Sequence, residues 1–425
     1  MTAVKTTSGE EDQRPKRRRR RKYVTGLDIG TTKICAIIGQ LTEGGDLTIH
    51  GIGSVPSLGL RKGIVIDIDT TVDSIQKAVA KAEEMADVPV REVHVGIAGG
   101  HITSENSRAI VEISSPSRGI AESDVAKVLE KAKGASMRID RELLHCIPQE
   151  YIVDDQGGIQ NPVGLAASRL EVHCHVVTAA VTSAQNIIRC VNQAGFRTAS
   201  VLLESLASSL AVLSDSQRDL GVLLIDMGGG TTDLAIYSNG SIKYSGVVPF
   251  GGDNITQDIS ALLRMSRYDA ENVKKKFGCA FAPLVSGDEE IESPGFIDPE
   301  GANRSRRFLA EVIQSRTEEI LNLAKQQVDR TQYSRSLIAG VVMTGGSSLM
   351  EGIPEVARKV FGAPASIGTP TGIKGMSGVI TSPIYSTGVG LVCHGIRDHE
   401  THPYGKTNLF FRLLETFKKL IDWYT

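Results

Sequence analysis

The chain has 425 residues, of which 41% are hydrophobic, and a formal net charge of −2. Its length allows two or more domains with an adequate core. The 6 cysteines are scattered with no Cys-x-x-Cys pair, which favours a reducing cytosol over a disulfide framework. No apolar stretch approaches the roughly 20 residues that span a bilayer, and no apolar segment follows the charged N-terminus. We therefore expect a cytosolic protein without a secretory signal.

The first part of the chain alternates between strand and helix patterns. Two apolar runs flank a Gly-Thr turn, "LTIHGIGSV" reads as a third strand, and "TTVDSIQKAVAKAEEMADV" has the apolar spacing of a helix before the strand "EVHVGIAG". The alternation then becomes irregular until about residue 178, which we interpret as a small inserted domain. Its predicted elements are a helix at Glu122–Ala135 and strands at Leu143–Pro148 and Arg169–Thr178.

The second part of the chain resumes the alternation. "SAQNIIRCVNQAG" is a predicted helix capped by its final glycine, and "LLESLASSLAVL" is a buried, small-residue helix. Further helices are predicted at "ITQDISALLRM" and from about Arg307 to Val328. "IAGVVMTGGSSLMEG" reads as a strand, a Gly-Gly turn and a helix start, and "SPIYSTGVGLVCHGI" as another small-residue helix. "DHETHPYGKTN" reads as a linker to a final helix.

Two segments of the chain are nearly alike. "VTGLDIGTTKICAIIGQ" begins at Val24 and "VLLIDMGGGTTDLAIYS" begins at Val222. Each is an apolar run ending in Asp, a Gly/Thr turn and a second apolar run, which predicts a hairpin whose glycines permit positive φ. Two such halves predict a duplicated α/β architecture with a cleft between them.

The two Gly-Thr turns suit a phosphate chain held from both sides. Asp28 and Asp226 would face a shared Mg²⁺ through waters, and Lys33 would reach a phosphate as a point charge. A third turn, at Gly345, Gly346 and Ser347, suits an adenosine near a helix start. The alternative is that these segments are only tight structural turns. A single such turn would favour that alternative, but the presence of three makes it less convincing. The remaining predicted contacts are amide and hydroxyl donors at Gly30, Thr31, Thr32, Gly228, Gly229, Gly230, Thr231 and Thr232.

These motifs resemble the phosphate-1, phosphate-2 and adenosine motifs of the actin, Hsp70 and sugar-kinase superfamily. More closely, the chain from Val24 to Leu391 resembles the FtsA family of bacterial cell-division actin homologues. "HCIPQEYIVD", "NPVGL", "IDMGGGTTDLAIY", "VVMTGGSSLMEG" and "YSTGVGL" stand where that family has similar strings. The resemblance implies an α/β, actin-like duplicated two-domain fold with an interdomain nucleotide cleft and an FtsA-type inserted subdomain.

The resemblance also implies a division of the chain. We expect a disordered basic tail, two actin-like halves, an interaction subdomain inserted into the first, a linker and an amphipathic membrane-targeting helix. The first half is formed by 23–99 and 179–220 and is rejoined by 380–396. The other predicted ranges are 1–22 for the tail, 100–178 for the insert, 221–379 for the second half, 397–407 for the linker and 408–425 for the terminal helix.

Several site residues follow from the resemblance alone. Glu271 and Lys274 match a stretch that contacts the ribose in bacterial actins. Glu204 lies near the position of a residue that orients the attacking water, and with Asp226 it is a candidate catalytic residue. An alternative for Glu204 is a carboxylate that caps a helix. Phosphoryl transfer depends on positioning and charge neutralisation, so we expect at most a slow ATPase.

The function implied by the resemblance is that of an ATP-binding, actin-like division protein. Such a protein polymerises at the cytoplasmic face of the inner membrane, tethers FtsZ there and recruits later division proteins through the inserted subdomain. The C-terminal tail of FtsZ is expected near the Arg307–Val328 helix, with Arg316 and Glu319 as contacts. The alternative is a small-molecule kinase of the same superfamily.

The last segment, "NLFFRLLETFKKLIDWYT", has an apolar and a charged face at helical spacing. A core-facing helix would show a similar stripe, but its place after a linker favours a helix in the plane of an anionic membrane. A basic run at Lys16–Lys22 is interpreted as a solvated tail, a nucleic-acid contact or an aid to lipid binding. The last is favoured and no nucleic acid is expected. The predicted membrane residues are Phe410, Leu413, Leu414, Phe417, Leu420, Ile421 and Trp423.

Two histidines share one face of a predicted strand in "VHCHV". His173 and His175 alternate with Cys174, so both imidazoles point the same way. They could ligate zinc, but no pattern supplies further ligands. We therefore expect strand histidines that are satisfied by protein partners.

Overall fold

The computed structural model describes residues 23–42, 46–114, 116–134, 138–293 and 302–401. The predicted basic tail at 1–22 and the predicted membrane helix at 408–425 lie outside the described residues. Among the residues described, no helix combines the length and the apolar character needed to cross a membrane.

The first half begins with a strand hairpin and a long helix. The hairpin strands are antiparallel, and the helix starts where the Asp67 carboxylate accepts a hydrogen bond from the Thr70 amide. The elements are β1 (Tyr23–Ile29), β2 (Lys33–Leu41), β3 (Leu47–Pro56), β4 (Leu60–Arg61), β5 (Ile64–Val65), α1 (Ile68–Ala86) and β6 (Glu92–Ile97).

The inserted region forms its own sheet, in the order β7-β10-β8-β9, with a helix packed on it and a separate apolar core. Its elements are β7 (Ile102–Glu112), α2 (Glu122–Gly134), β8 (Arg141–Val153), β9 (Gln156–Ile159) and β10 (Arg169–Ala180). The sequence prediction missed β7 and shortened β8, because both strands carry many polar residues on a half-exposed sheet.

The chain then returns to the first half. The elements that follow are α3 (Val181–Gln193), β11 (Arg197–Leu203), α4 (Glu204–Val212) and α5 (Asp215–Leu220). The predicted helix "LLESLASSLAVL" was wrong at its start, since Leu202 and Leu203 pair with β6 as the end of a parallel strand. The first sheet has the order β11-β6-β1-β2-β3-β19, in which β19 is Ile373–Lys374.

The second half repeats the pattern around another hairpin. Its elements are β12 (Val222–Met227), β13 (Thr232–Ser238), β14 (Ser241–Val248), α6 (Gly252–Leu262), α7 (Arg267–Phe277), β15 (Glu290–Ser293), β16 (Ala302–Ser305), α8 (Arg306–Asp329), β17 (Val341–Thr344), α9 (Ile353–Phe361) and β18 (Ala365–Ile367). Its five-stranded sheet has the order β14-β13-β12-β17-β18.

The two main sheets share one arrangement. β1 pairs antiparallel with β2 and parallel with β6, and β12 likewise pairs antiparallel with β13 and parallel with β17. Each hairpin therefore places its Gly-Thr turn at the carboxyl end of a central strand, the edge at which α/β sheets bind ligands. The predicted duplication is confirmed.

The last described elements are α10 (Ser377–Ile380) and α11 (Ser386–Thr401). α11 packs on α4 and β1 of the first half. It continues through Asp398 to Thr401, so the start of the predicted linker "DHETHPYGKTN" is helical.

Glycines allow α1 to approach the first sheet closely. A Cβ added at Gly53 would lie 1.8 Å from the carbonyl oxygen of Ala78, and one at Gly51 would lie 2.2 Å from that of Ala82. Neither contact is with a flexible side chain, so a larger residue must push the helix from the sheet.

We predict that Gly53→Ala lowers the free energy of unfolding by about 1–3 kcal/mol, because the new methyl group meets the helix backbone. Urea unfolding measures the change. Gly134→Ala is the matched control, since a Cβ there meets nothing within 4 Å. Equal stability of the two variants would contradict this packing.

Candidate functional site

The two Gly-Thr turns meet tip to tip. In each turn a glycine amide closes the hairpin, from Gly30 to the Lys33 carbonyl at 3.0 Å and from Gly228 to the Thr231 carbonyl at 2.9 Å. A Cβ added at Gly229 would lie 1.8 Å from Thr32 Oγ1. One added at Gly230 would lie 2.5 Å from Thr31 Oγ1. Segments about two hundred residues apart thus form one surface of backbone amides and hydroxyls.

The third turn lies against the second. Gly345 has φ +84°, and a Cβ there would lie 2.3 Å from Asp226 Oδ1. The Ser347 hydroxyl donates to the Gly228 carbonyl at 2.9 Å. Gly346–Leu349 forms a short 3-10 turn, whereas the helix expected here, α9, starts only at Ile353. The structure therefore brings the predicted adenosine turn to the second phosphate turn.

The start of α6 forms backbone hydrogen bonds with the second turn. The amides of Gly252 and Asp253 donate to the carbonyls of Gly228 and Gly229 at 2.9 and 2.8 Å. Lys274 Nζ donates to the Gly252 carbonyl at 3.0 Å and lies 2.6 Å from Glu271 Oε2. The two residues predicted to contact ribose are therefore paired and lie next to this turn.

Lys33 and Asp28 form an ion pair at the root of the first hairpin. Lys33 Nζ lies 2.7 Å from Asp28 Oδ2, and the carboxylate is buried. Burial alone would lower the pKa of the Lys33 ammonium, but the charge and the hydrogen bond of Asp28, together with other nearby negative charges, outweigh burial and raise the pKa. The lysine is therefore a fixed positive charge beside the first turn.

Asp226 belongs to the second half but is held by the first. One carboxylate oxygen accepts hydrogen bonds from the Ser208 hydroxyl of α4 and from Thr387 Oγ1 of α11, the latter at 3.2 Å. Burial raises the pKa of Asp226 to about 6, although these hydroxyls oppose the shift. The carboxylate lies where the two halves join.

Asp233 is a buried acid that the sequence analysis did not single out. It pairs directly with Asp226 across the hairpin, so their side chains share one face. Burial and then the charge of Asp226 raise the pKa of Asp233 to about 8. Thr231 Oγ1 donates to one of its oxygens at 3.0 Å, and the other is buried without a hydrogen-bond partner.

Glu204 points into the same group of acids. The N-cap of α4 is Leu203, so Glu204 does not cap the helix and the capping alternative fails. Burial, followed by the charges of Asp28, Asp233 and Asp226, raises the pKa of Glu204 well above its ordinary value. Four acids thus face one lysine, and this imbalance suits a cation.

The cation that suits this cluster is one held through water. No group of three or more His, Cys, Asp or Glu side chains within the described ranges has the geometry of a direct metal site. The oxygen of Asp233 that lacks a partner and the excess of buried acids nevertheless fit Mg²⁺, which keeps several of its waters in proteins.

The strand histidines have protein partners. His173 lies 2.9 Å from Glu171 Oε1, and His175 lies 2.8 Å from Asn106 Oδ1 and 2.9 Å from Ser245 Oγ. Burial lowers the pKa of His175 to about 4. The prediction of satisfied histidines is confirmed.

The two predicted partner residues lie on α8 and contact each other. Arg316 pairs with Glu319 at 2.5 Å and with both carboxylate oxygens of Asp258, one of them at 3.0 Å. They line a groove of about 410 Å³ between α6 and α8. Its walls include the exposed apolar side chains of Leu262 and Phe308.

The raised acid pKa values predict a pH dependence. The folded protein holds protons that the unfolded chain releases, so its stability falls as pH rises from the ordinary carboxyl range to about 8. Asp233→Asn removes one such charge and is predicted to raise the free energy of unfolding at pH 8 by at least about 1 kcal/mol. Urea unfolding at pH 6 and 8 measures this, with the exposed Asp73→Asn as control. A pH slope that is the same in both variants would contradict it.

Comparison with protein families gives a consistent assignment. The family model "Cell division protein FtsA" matches residues 223–390, and "SHS2 domain inserted in FTSA" matches residues 99–178. A third model, "Type IV pilus assembly protein PilM", matches residues 160–280. The second of these matches nearly the range predicted for the inserted subdomain.

Solved structures support the actin-like fold. A chain of the PilM-PilN type IV pilus biogenesis complex aligns with a TM-score of 0.63 at 14% identity, covering 88% of this chain and 99% of that one. MreB5 of Spiroplasma citri bound to ADP aligns with a TM-score of 0.53 at 15% identity, covering 89% and 96%. The predicted actin-like fold with an inserted subdomain is confirmed.

Curated relatives align with this chain over most of their length. Cell division protein FtsA of Pseudomonas aeruginosa is 42% identical over 88% of this chain and 90% of its own. That of Escherichia coli K12 is 37% identical over 95% of this chain and 97% of its own. The chain belongs to the FtsA family of cell division proteins.

Proposed function

We propose that this chain is an ATP-binding, actin-like protein that polymerises at the cytoplasmic face of the inner membrane and tethers FtsZ there. The proposal that the chain binds ATP is supported by the contact between the two Gly-Thr turns, where Gly229 lies against Thr32. Phosphates at this junction would meet amides and hydroxyls from both halves. Membership of the FtsA family favours this function over a small-molecule kinase.

The cleft residues take complementary parts in this proposal. Lys33 and the turn amides bind the phosphates, Gly345 and Ser347 lie along the adenosine, and the Glu271–Lys274 pair faces the ribose. Asp28 and Asp226 hold Mg²⁺ through waters, and Asp233 adds a third acid. A bound Mg²⁺ supplies neutralisation of phosphate charge. The MreB5 structures solved with ADP and with AMPPNP support a nucleotide in this fold.

Hydrolysis in this cleft is at most slow. Glu204 is the candidate acid to orient water, but burial and the charges of the neighbouring acids raise its pKa well above the ordinary carboxyl value, which favours its protonated form. A protonated carboxyl is a poor acceptor for the proton of an attacking water. Cation binding would lower that pKa by offsetting the neighbouring acids, so any turnover depends on the filled cleft.

Gly229→Asp is predicted to abolish ATP binding, because it adds bulk against Thr32 and a negative charge beside the phosphates. Titration with a fluorescent ATP analogue measures this. Gly287→Asp adds the same charge where a Cβ meets nothing within 4 Å, and it should bind as the parent does. Binding by both variants alike would place the nucleotide elsewhere.

The groove between α6 and α8 is the proposed docking site for the C-terminal tail of FtsZ. Leu262 and Phe308 are 57% and 46% exposed, and they offer apolar contact to a short peptide. Arg316, whose guanidinium is held by Asp258, is the one cation among the described lining residues, which also include three acids. The walls therefore suit a peptide with apolar anchors, with Arg316 as the position for a carboxylate.

Arg316→Glu is predicted to weaken binding of a peptide of the FtsZ C-terminal tail by about tenfold or more, because it removes the cation and repels a carboxylate. Fluorescence anisotropy measures the affinity. Arg358→Glu reverses a charge on α9, outside the groove, and should bind as the parent does. Unchanged affinity in the Arg316 variant would remove that residue from the proposed contact.

We propose that the segment at 408–425 attaches the protein to the membrane as a helix. The inserted subdomain is the proposed binding site for other division proteins. Self-association into filaments completes the proposed function.

A truncation after Lys406, or Leu413→Glu combined with Phe417→Glu, is predicted to leave a folded protein that no longer sediments with anionic vesicles. Each buried Leu or Phe contributes about 1.5–3 kcal/mol at most, so two charges on the apolar face offset much of the binding. Vesicle binding by the truncated protein would show that another segment is the anchor.

A further inference from the structure

A small hairpin outside the predicted phosphate motifs lies across the cleft. β4 and β5 pair antiparallel and are joined by Lys62 and Gly63. This hairpin follows β3 and precedes α1, so it belongs to the first half. None of its residues is among the predicted nucleotide contacts.

The hairpin is fixed to the first phosphate turn. The Gly63 amide donates to Thr31 Oγ1 at 3.2 Å, and the Ser57 amide donates to the Thr32 carbonyl at 3.0 Å. A Cβ added at Gly63 would lie 2.3 Å from the carbonyl oxygen of Ala98, so the tip is also seated against the chain after β6. The hairpin and the first turn therefore move together.

The side chain at the tip reaches the other half. Lys62 Nζ lies 4.8 Å from the centroid of the Phe250 ring, within the range of a cation–π contact. Phe250 lies two residues before the start of α6, which supports the second phosphate turn. Its carbonyl accepts a hydrogen bond from Thr232 Oγ1 at 2.9 Å. The contact thus links the segments that hold the two turns.

The backbone at Lys62 suits another residue better. Lys62 and Gly63 have φ of +51° and +75°, the signature of a two-residue turn in which both central residues are left-handed. Asn or Gly is favoured at the first position, and Lys there is strained. A lysine at the position that turn chemistry assigns to asparagine indicates a role for its side chain.

We propose that Lys62 is a positioning residue that latches the cleft closed over bound nucleotide. This inference rests on the proposed nucleotide site. Release of nucleotide requires the two turns to part, and parting them separates the Lys62 ammonium from the Phe250 ring. The latch therefore slows dissociation while leaving the phosphate contacts themselves unchanged.

Lys62→Asn tests the latch, because asparagine suits the turn but lacks the cation. We expect the dissociation rate of a fluorescent ATP analogue, measured by stopped flow on the full chain with Mg²⁺, to rise about three- to tenfold. Lys62→Arg keeps the cation and should restore slow release. Lys77→Gln, which removes an exposed cation from α1, should behave as the parent does. The melting temperature without nucleotide should not fall in Lys62→Asn.

Phe250→Leu supplies an independent check. It should accelerate release as Lys62→Asn does, and the double variant should release no faster than either single one, because both changes remove the same contact. Release by Lys62→Asn at the parent's rate, or acceleration that Lys62→Arg fails to correct, would overturn the latch. Failure of the parent itself to bind ATP would instead overturn the proposed function, and the latch with it.

Discussion

The structure depends on the close approach of two hairpin tips. Thr32 Oγ1 lies where a side chain at Gly229 would begin, so the second turn must be glycine for the halves to meet. The same absence of side chains leaves backbone amides open to a ligand. One steric constraint therefore explains both the joining of the halves and the character of the cleft.

The acids beneath the turns lie where the two halves join. Asp226 extends from the second half but accepts hydrogen bonds from α4 and α11 of the first. The inserted subdomain adds a further link, since Gln149 donates to the Ile242 carbonyl at 2.8 Å and Ser104 to the Ser245 carbonyl at 2.6 Å, both in β14. The insert, which lies between β6 and α3 of the first half in the chain, therefore also contacts the second half.

The sequence predicted the features that depend on local pattern. The two hairpins, α1, α8 and the Gly-Gly turn follow from apolar periodicity and turn chemistry, and they lie where expected. Asp233 could also have been identified from the sequence, because the register of the hairpin sets it opposite Asp226. The sequence could not have identified Ser208, Thr387 or Lys62, since their roles come from contacts between segments far apart in the chain. β7 was missed because alternation on a half-exposed strand is weak when both faces are polar.

Three turns that are far apart in the chain are proposed to form one nucleotide site. Hydrogen exchange of the full chain with and without Mg²⁺-AMPPNP tests this proposal, because amides that face phosphate become protected. We expect simultaneous protection at 30–33, 228–231 and 345–348, with the two hairpins protected at the same nucleotide concentration. Protection of one hairpin alone, or of neither, would contradict it.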